Sequence, residues 1–191
     1  MLKNNIELFF KHENSKKIEN RIDLLNQFPK NSIGIELGVH LGDFSEKILQ
    51  IVDPKELHLV DAWDYIPLNK PAIYFDIPDR DLFVKKRFQS SIKKNKLFIH
   101  KNYSHQALEF FENNYFDWIY IDANHNYDFV KFDIYNWAEK IKKDGLICGH
   151  DYCWNCKGVI KAVDEFINDK KWQLIFYTIY DKYPSWILKK T

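Results

Sequence analysis

The chain has 191 residues, of which 46% are hydrophobic and 29% charged, with six glycines and six prolines. This length and composition predict one globular domain over residues 1–191 and exclude a disordered or fibrous protein. The 28 basic and 27 acidic residues leave a formal charge of +1, which excludes the broad positive field of proteins that bind long nucleic acids.

Membrane insertion and export are not expected from this sequence. No run approaches the roughly 18 apolar residues of a membrane span, and residues 1–20 lack the apolar core of a signal peptide. The three cysteines, an odd number within residues 148–156, argue against a disulfide framework. We therefore expect a cytoplasmic protein in a reducing compartment, without a membrane partner.

Apolar runs of strand type alternate with amphipathic helical stretches through most of the chain, which predicts an α/β fold of parallel strands and crossover helices. Asp43 is the predicted N-cap of the first of these helices, with Glu46 completing a capping box. The predicted strands are 32–37, 56–61, 97–100, 116–122 and 145–150. The further predicted helices are 79–94, 104–113, 127–141 and 159–168.

The two ends of the chain and one long loop depart from this alternation. Residues 1–31 are predicted as a helical extension, whose amphipathic segment 16–28 would pack over the sheet edge or the site mouth. Runs at 172–177 and 185–188 are too close for a parallel crossover and predict a C-terminal antiparallel hairpin. The proline-containing stretch 63–78 is a candidate substrate lid, because long loops in compact domains are usually functional.

A turn with two glycines follows the first predicted strand. Gly38 and Gly42 stand between Glu36 at the end of the strand and the helix predicted at Asp43. Glycine lets the backbone approach a ligand closely, and the amides at a helix start attract a carboxylate or phosphate. The spacing differs from the Gly-x-Gly-x-x-Gly of dinucleotide enzymes. A small-ligand site and a plain tight turn both fit this segment alone.

Asp61 ends the second predicted strand, 23 residues after Gly38. An acidic side chain at this distance can accept hydrogen bonds from both hydroxyls of a ribose. The alternative is an ordinary solvated aspartate at a strand end. Together, the glycine turn and Asp61 favour a cofactor that contains adenosine.

Two later strands deliver carboxylates and histidines to the same edge of the predicted sheet. Asp122 ends one strand and is followed by His125, and His150 and Asp151 end the next. Carboxylates gathered beside a ligand suggest a divalent cation, magnesium or manganese, and a histidine favours manganese or another transition metal. The alternative is that these are polar loop residues that cap turns.

The spacing of Cys153 and Cys156, with Cys148 and His150 nearby, also suggests zinc. We consider this interpretation weaker, because structural zinc normally uses two ligand pairs on separate turns. Cys148 is expected inside a buried strand, where a thiol acts as a small hydrophobic group.

These separated motifs together resemble class I S-adenosylmethionine-dependent methyltransferases. Within that group the chain is similar to the small metal-dependent sugar and macrolide O-methyltransferases, of the methyltransferase family 24 type. Residues 36–42 resemble the first motif of the family, Asp61 its ribose-binding acid, and residues 120–127 its Asp-x-x-His-x-Tyr segment. His40 departs from the family pattern, because many relatives carry a small residue there.

The resemblance implies a Rossmann-like fold, with a mostly parallel seven-stranded sheet, a C-terminal antiparallel hairpin and helices on both faces. It implies that S-adenosylmethionine contacts Glu36, Gly38, Val39, Gly42, Asp61, Ala62, Trp63 and Ser104. It further implies a cation, magnesium or manganese, at Asp122, His150 and Asp151, with His125 as the general base.

The implied activity is metal-assisted O-methylation of a small hydroxylated acceptor, such as a sugar or glycan precursor. Nucleic acid is not an expected partner, and formation of a homo-oligomer stays open. A protein of the same fold that binds cofactor or a partner without catalysis is the first alternative. A nicotinamide oxidoreductase is the second, and the missing third glycine and the pair Asp122 and Asp151 count against it.

Overall fold

The computed structural model describes residues 14–64 and 79–191. Residues 1–13 of the predicted extension and 65–78 of the predicted lid lie outside this range. Eight strands form one sheet: β1 (Lys16–Ile18), β2 (Ile33–Leu37), β3 (Glu56–Asp61), β4 (Leu97–Lys101), β5 (Phe116–Ile121), β6 (Ile141–Gly149), β7 (Trp172–Thr178) and β8 (Trp186–Lys190).

The sheet has the strand order β1-β7-β8-β6-β5-β2-β3-β4. Strands β2 to β6 pair in parallel, and β8 runs antiparallel to both β6 and β7. The predicted Rossmann-like α/β fold with its C-terminal hairpin is therefore confirmed. The strand number differs from the predicted seven, because β1 pairs in parallel with β7, with Lys16 opposite Phe176. This strand lies in the segment that amphipathic periodicity assigned to a helix.

Seven α-helices lie in the described residues. They are α1 (Arg21–Leu24), α2 (Asp43–Ile51), α3 (Arg80–Arg87), α4 (Gln89–Lys93), α5 (Ser104–Ala107), α6 (Tyr127–Trp137) and α7 (Lys157–Asp169). The helix predicted at 79–94 is divided at Phe88, whose φ of −102° and ψ of 17° depart from helical values. The helix predicted at 104–113 is a single α-turn that continues as a 3-10 turn over Leu108–Phe110.

The start of α2 differs from the predicted capping box. Gly42 is the N-cap, in the left-handed region at φ 81°, and Asp43 is already the first helical residue. Asp43 and Glu46 instead form ion pairs with Arg87 of α3, at 2.5 and 3.2 Å. The acidic side chains at the helix start therefore join α2 to α3 and leave the first amides of α2 uncapped by them.

Helices cover both faces of the sheet, and the core is correspondingly divided into two layers. Alternate residues of β5 face opposite layers, with Ile119 and Ile121 in one and Trp118 and Tyr120 in the other. The first layer contains the apolar faces of α6 and α7, and the second contains those of α1 and α2. Burial on both faces explains why β5 is a continuous apolar run instead of an alternating one.

Among the described residues, 14–64 and 79–191, no helix has the length and apolarity needed to cross a membrane.

Candidate active site

The carboxyl ends of β2 and β5 lie side by side at the point where the strand order reverses. From β2 the chain continues to β3 on one side, whereas β5 continues to β6 on the other. In open α/β sheets the ligand crevice lies outside the strand ends at such a reversal. Glu36 at the end of β2 and Asp122 after β5 therefore lie at the edge where open α/β sheets bind ligands.

The backbone at Leu37 and Gly38 connects the end of β2 to both of its neighbours, β5 and β3. The Asp122 amide donates to the Leu37 carbonyl at 2.8 Å, and the Gly38 amide donates to the Val60 carbonyl at 2.9 Å. A Cβ at Gly38 would lie 2.0 Å from the Asp122 carbonyl oxygen, and its φ is +90°. Only glycine fits this position, which keeps the backbone open toward the crevice.

The Asp61 carboxylate organises the loop after β2. Its Oδ2 accepts from the backbone amides of Val39 and His40 at 2.8 and 2.9 Å, and its Oδ1 accepts from the Trp63 amide at 2.7 Å. The Trp63 indole donates to the His40 carbonyl at 2.7 Å. A carboxylate has about four acceptor positions, two on each oxygen. The three amides occupy both positions on Oδ2 and one on Oδ1. Asp61 can therefore accept from one ribose hydroxyl through Oδ1, but not from two hydroxyls through separate oxygens.

Glu36 is a buried carboxyl at the end of β2. Its side chain accepts a hydrogen bond from the Ser45 hydroxyl at 2.5 Å. Burial raises the pKa of Glu36 to about 8, although Ser45 and the charge of Arg21 oppose the rise. A positively charged ligand group nearby would favour loss of this proton, because an opposite charge stabilises the carboxylate.

The other predicted cofactor residues occupy three different settings. Val39 is buried and Ala62 half-buried at the ends of β2 and β3. Gly42 closes the glycine turn, where a Cβ would lie 2.6 Å from the Phe88 ring. Ser104 begins α5 and hydrogen-bonds the buried Asp133 of α6, and burial raises the pKa of that carboxyl to about 7. The Ser104 hydroxyl therefore has a protein partner of its own.

Asp122, His150 and Asp151 form a compact cluster at the ends of β5 and β6. Their ligating atoms all lie within 4.8 Å of one another. His150 Nδ1 lies 3.2 Å from Asp151 Oδ2 and 3.6 Å from Asp122 Oδ1. Burial alone would lower the pKa of His150, but the two carboxylates raise it to about 9. His150 therefore carries a proton at neutral pH.

His125 contacts the same cluster from the loop after β5. Its Nε2 lies 2.9 Å from Asp151 Oδ2, and the side chain is 47% exposed. The hydrogen bond to Asp151 raises the pKa of His125. Burial works against ionisation of Asp151, but the bonds from His125 and His150 hold the pKa of Asp151 below its usual range. Asp151 is therefore an anion that both imidazoles share.

Arg21 also belongs to this cluster, and sequence reasoning missed it. Its Nη2 lies 3.3 Å from Asp122 Oδ2, and its Nη1 lies 3.5 Å from His150 Nε2. The guanidinium stacks on Phe44, 3.7 Å from the ring centroid. The contact with Asp122 spans 101 positions, and the pattern around residue 21 carries no signal for it.

Asp122, His150 and Asp151 fit a divalent cation as a donor set. Two carboxylates and one imidazole suit manganese or a similar metal better than magnesium, which prefers oxygen ligands only. A cation bound to these atoms would take over the charge that Arg21 supplies to Asp122 and would displace the proton of His150. The donor set that would hold a cation is thus already in contact with an arginine.

Comparison with known proteins assigns the chain to a family. A family model described as a methyltransferase domain matches residues 35–152, which is more than half of the chain and includes every residue of the cluster except Arg21. The chain belongs to this methyltransferase-domain family. Its S-adenosylmethionine-dependent class I methyltransferase fold agrees with the resemblance that its motifs indicated.

Solved structures of methyltransferases share this fold at low sequence identity. A candidate methyltransferase from Streptococcus mutans in complex with SAH is 12% identical with a TM-score of 0.64, and 100% of each chain is covered. A candidate caffeoyl-CoA O-methyltransferase from Staphylococcus aureus is 17% identical with a TM-score of 0.62, covering 90% of this chain and 85% of the other.

A tRNA methyltransferase from Bacillus subtilis is 9% identical with a TM-score of 0.63, covering 91% of this chain and 67% of the other. A search of curated protein sequences found no match. The caffeoyl-CoA and tRNA enzymes are named for different acceptors, so the similarity establishes the fold of this methyltransferase and leaves the acceptor to be inferred from its site.

Proposed function

We propose that this methyltransferase transfers a methyl group from S-adenosylmethionine to a hydroxyl of a small, sugar-like acceptor, assisted by a divalent cation. The observation that most directly supports the proposal is the 2.9 Å contact between His125 and Asp151 beside Asp122. These three side chains provide an imidazole that can take a proton and two carboxylates that can bind a cation.

Cofactor binding is assigned to the loop after β2 and the end of β3. S-adenosylmethionine supplies the methyl group on a positively charged sulfur. Gly38 leaves backbone space at the strand reversal, Asp61 holds the loop and offers Oδ1 to the ribose, and Glu36 faces the amino-acid end. The raised pKa of Glu36 suits this role, because its proton can leave when a positive group binds.

The cation is assigned to Asp122, His150 and Asp151. When bound, it would lower the pKa of an acceptor hydroxyl and help to hold a neighbouring one. A vicinal diol of a sugar presents two such oxygens, which supports a sugar-like acceptor. The nearly balanced charge of the chain, with 28 basic and 27 acidic residues, supports a small acceptor over a nucleic acid.

His125 is proposed as the general base. Its Nε2 contacts Asp151, which favours a proton on that nitrogen and leaves the lone pair on Nδ1. Asp151 would also stabilise the imidazolium that forms after proton uptake, as a carboxylate partner does for other catalytic histidines. Because the side chain is 47% exposed, an acceptor can approach the ring.

The proposal is tested by measuring formation of the demethylated cofactor with a panel of sugars and sugar nucleotides, before and after metal removal. We expect turnover to disappear with excess chelator and to return with manganese or magnesium. Asp122→Asn should lose most of the turnover and still bind cofactor, whereas Asp144→Asn, at an exposed position of β6, should behave as wild type.

Two outcomes would contradict the proposal at different levels. Full turnover by metal-stripped enzyme in excess chelator would remove the cation and leave Asp122 and Asp151 as hydrogen-bonding groups. Cofactor binding without turnover on any hydroxylated acceptor would favour the non-catalytic alternative.

A further inference from the structure

We propose a second metal site in this protein, for zinc or a similar transition metal, formed by His125, Asp151 and Cys156, with Cys153 beside Cys156. It lies next to the cation site proposed above and shares only Asp151 with it. The site itself is inferred from the side-chain cluster and does not depend on the proposed function.

Three side chains present their donor atoms to one another. The ligating atoms of His125, Asp151 and Cys156 all lie within 4.8 Å of each other. His125 Nδ1 lies 4.0 Å from Cys156 Sγ, and His125 Nε2 lies 2.9 Å from Asp151 Oδ2. The Cys153 side chain is in hydrogen-bond contact with Cys156. One sulfur, one nitrogen and one oxygen therefore gather in one place, and a second thiol contacts that sulfur.

The loop after β6 is folded into tight turns between Asp151 and Cys156. The Cys153 amide donates to the Asp151 carbonyl at 2.7 Å, and the Cys156 amide donates to the Cys153 carbonyl at 2.9 Å. Asp151 has a φ of 61°, in the left-handed region. These contacts reverse the chain within six residues and bring the side chain of Cys156 back toward that of Asp151.

Gly158, at the start of α7, allows the segment after β6 to pack against the loop that carries His125. A Cβ at Gly158 would lie 2.5 Å from the His125 carbonyl oxygen and 2.6 Å from the Tyr127 nitrogen. The backbones approach this closely only because position 158 has no side chain. The nearness of Cys156 to His125 therefore follows from packing of two backbone segments and not from a side-chain rotamer alone.

The donor chemistry separates this cluster from its neighbour. Thiolate, imidazole and carboxylate are the three ligand types of protein zinc sites, and thiolates select against magnesium. The cluster of Asp122, His150 and Asp151 has no sulfur. The two groups should therefore bind different metals, although they share the carboxylate of Asp151.

The ligand set differs from the one that the Cys-x-x-Cys spacing suggested. Cys148 is fully buried in the core layer beside Trp118 and Tyr120, and His150 contacts Asp122 and Arg21. His125 and Asp151 take the places that Cys148 and His150 had in that interpretation. Cys148 is thus a matched control for the two loop cysteines.

Zinc in this site would be coordinated by His125, the residue proposed as the general base. Metal bound to His125 would occupy a nitrogen lone pair, and metal bound to Asp151 would withdraw it from the neighbouring cation site. Zinc should therefore inhibit methyl transfer reversibly. This consequence rests on the proposed function, unlike the existence of the site.

The site is tested by titrating the metal-free, reduced protein with cobalt, whose thiolate complexes absorb in the near ultraviolet. We expect one equivalent to produce this charge-transfer absorption in the wild type and in Cys148→Ser. Cys156→Ser should lose most of it, and its affinity for zinc, measured by competition with a chromophoric chelator, should fall at least roughly 100-fold. His125→Ala should weaken binding and retain thiolate absorption.

The site is overturned if cobalt produces no thiolate absorption, if Cys156→Ser titrates like the wild type, or if Cys148→Ser loses the absorption equally. Its failure is distinguishable from failure of the proposed function. If cobalt spectra establish the site but stoichiometric zinc leaves methyl transfer unchanged, the role of His125 as base is wrong and the metal site stands.

Discussion

The guanidinium of Arg21 lies 3.3 Å from the carboxylate of Asp122, which belongs to a strand more than 100 positions later in the chain. The short N-terminal segment holds it there. β1 pairs with β7, and the Asn20 side chain accepts hydrogen bonds from the amides of Ile22 and Asp23 at 2.9 and 3.0 Å. Arg21 therefore faces the carboxyl edge of the sheet from a defined position.

Arg21→Gln should increase the affinity of the metal-free enzyme for manganese by roughly 10-fold, because it removes a positive charge from the carboxylate that would bind the cation. The concentration of free manganese during a titration is measured by electron paramagnetic resonance. Lys142→Gln, which removes a charge paired with Asp117 away from this cluster, is the matched control. Equal or weaker binding by Arg21→Gln would show that Arg21 does not compete with a cation.

Asp61→Asn should weaken binding of the demethylated cofactor by about 1 to 3 kcal/mol, the usual cost of unpaired polar groups. An amide at position 61 would turn an NH2 group toward one of the backbone donors of Val39, His40 or Trp63, which now face carboxylate oxygens. Calorimetry measures the affinity, with Asp144→Asn as control. An unchanged affinity would contradict both the loop-organising and the ribose-binding role.

Most of the sheet and the meeting of three site residues followed from the sequence because both depend on strand ends. The predicted strand 56–61 coincides with β3, since its apolar run is bounded by a turn and by Asp61. Asp122, His150 and Asp151 come together because β5 and β6 are parallel neighbours, and parallel strands end at the same edge. Local pattern and topology agree in this part of the chain.

The features that could not be predicted arise from contacts between distant segments. The capping box at Asp43 does not form, because Gly42 takes the N-cap position and Arg87 pairs with the acidic side chains. The three amides that bind Asp61 depend on the path of a loop, and the stacking of Arg21 on Phe44 depends on how the N-terminal segment docks. Neither leaves a periodic signal in the sequence.

His58 should make the stability of the protein depend on pH between about 6.5 and 4. It is 6% exposed, contacts His100 through ring nitrogens 3.1 Å apart, and stacks on Phe98. Burial, helped by the charge of His100, lowers the pKa of His58 to about 4. As the pH falls, the unfolded chain binds this proton before the folded chain does. The contribution of the neutral ring to the free energy of unfolding is therefore complete above about pH 6.5. It is lost as the pH falls toward 4, by at most about 3 kcal/mol.

Urea unfolding at a series of pH values measures this loss. His58→Gln should reduce the difference in unfolding free energy between pH 7 and pH 4, because glutamine does not titrate. His105→Gln, at an exposed position, should keep the wild-type pH dependence. If His58→Gln retains the full loss, other groups cause it.

The most direct test of the account is the turnover of His125→Ala on an acceptor that the wild type methylates, measured together with affinity for the demethylated cofactor. A general base contributes roughly 10²- to 10⁴-fold to the rate, so turnover should fall by that factor, cofactor affinity should stay nearly unchanged, and added imidazole should restore part of the rate. A variant with wild-type turnover would contradict the central claim that His125, held by Asp151 at 2.9 Å, removes the proton of the acceptor.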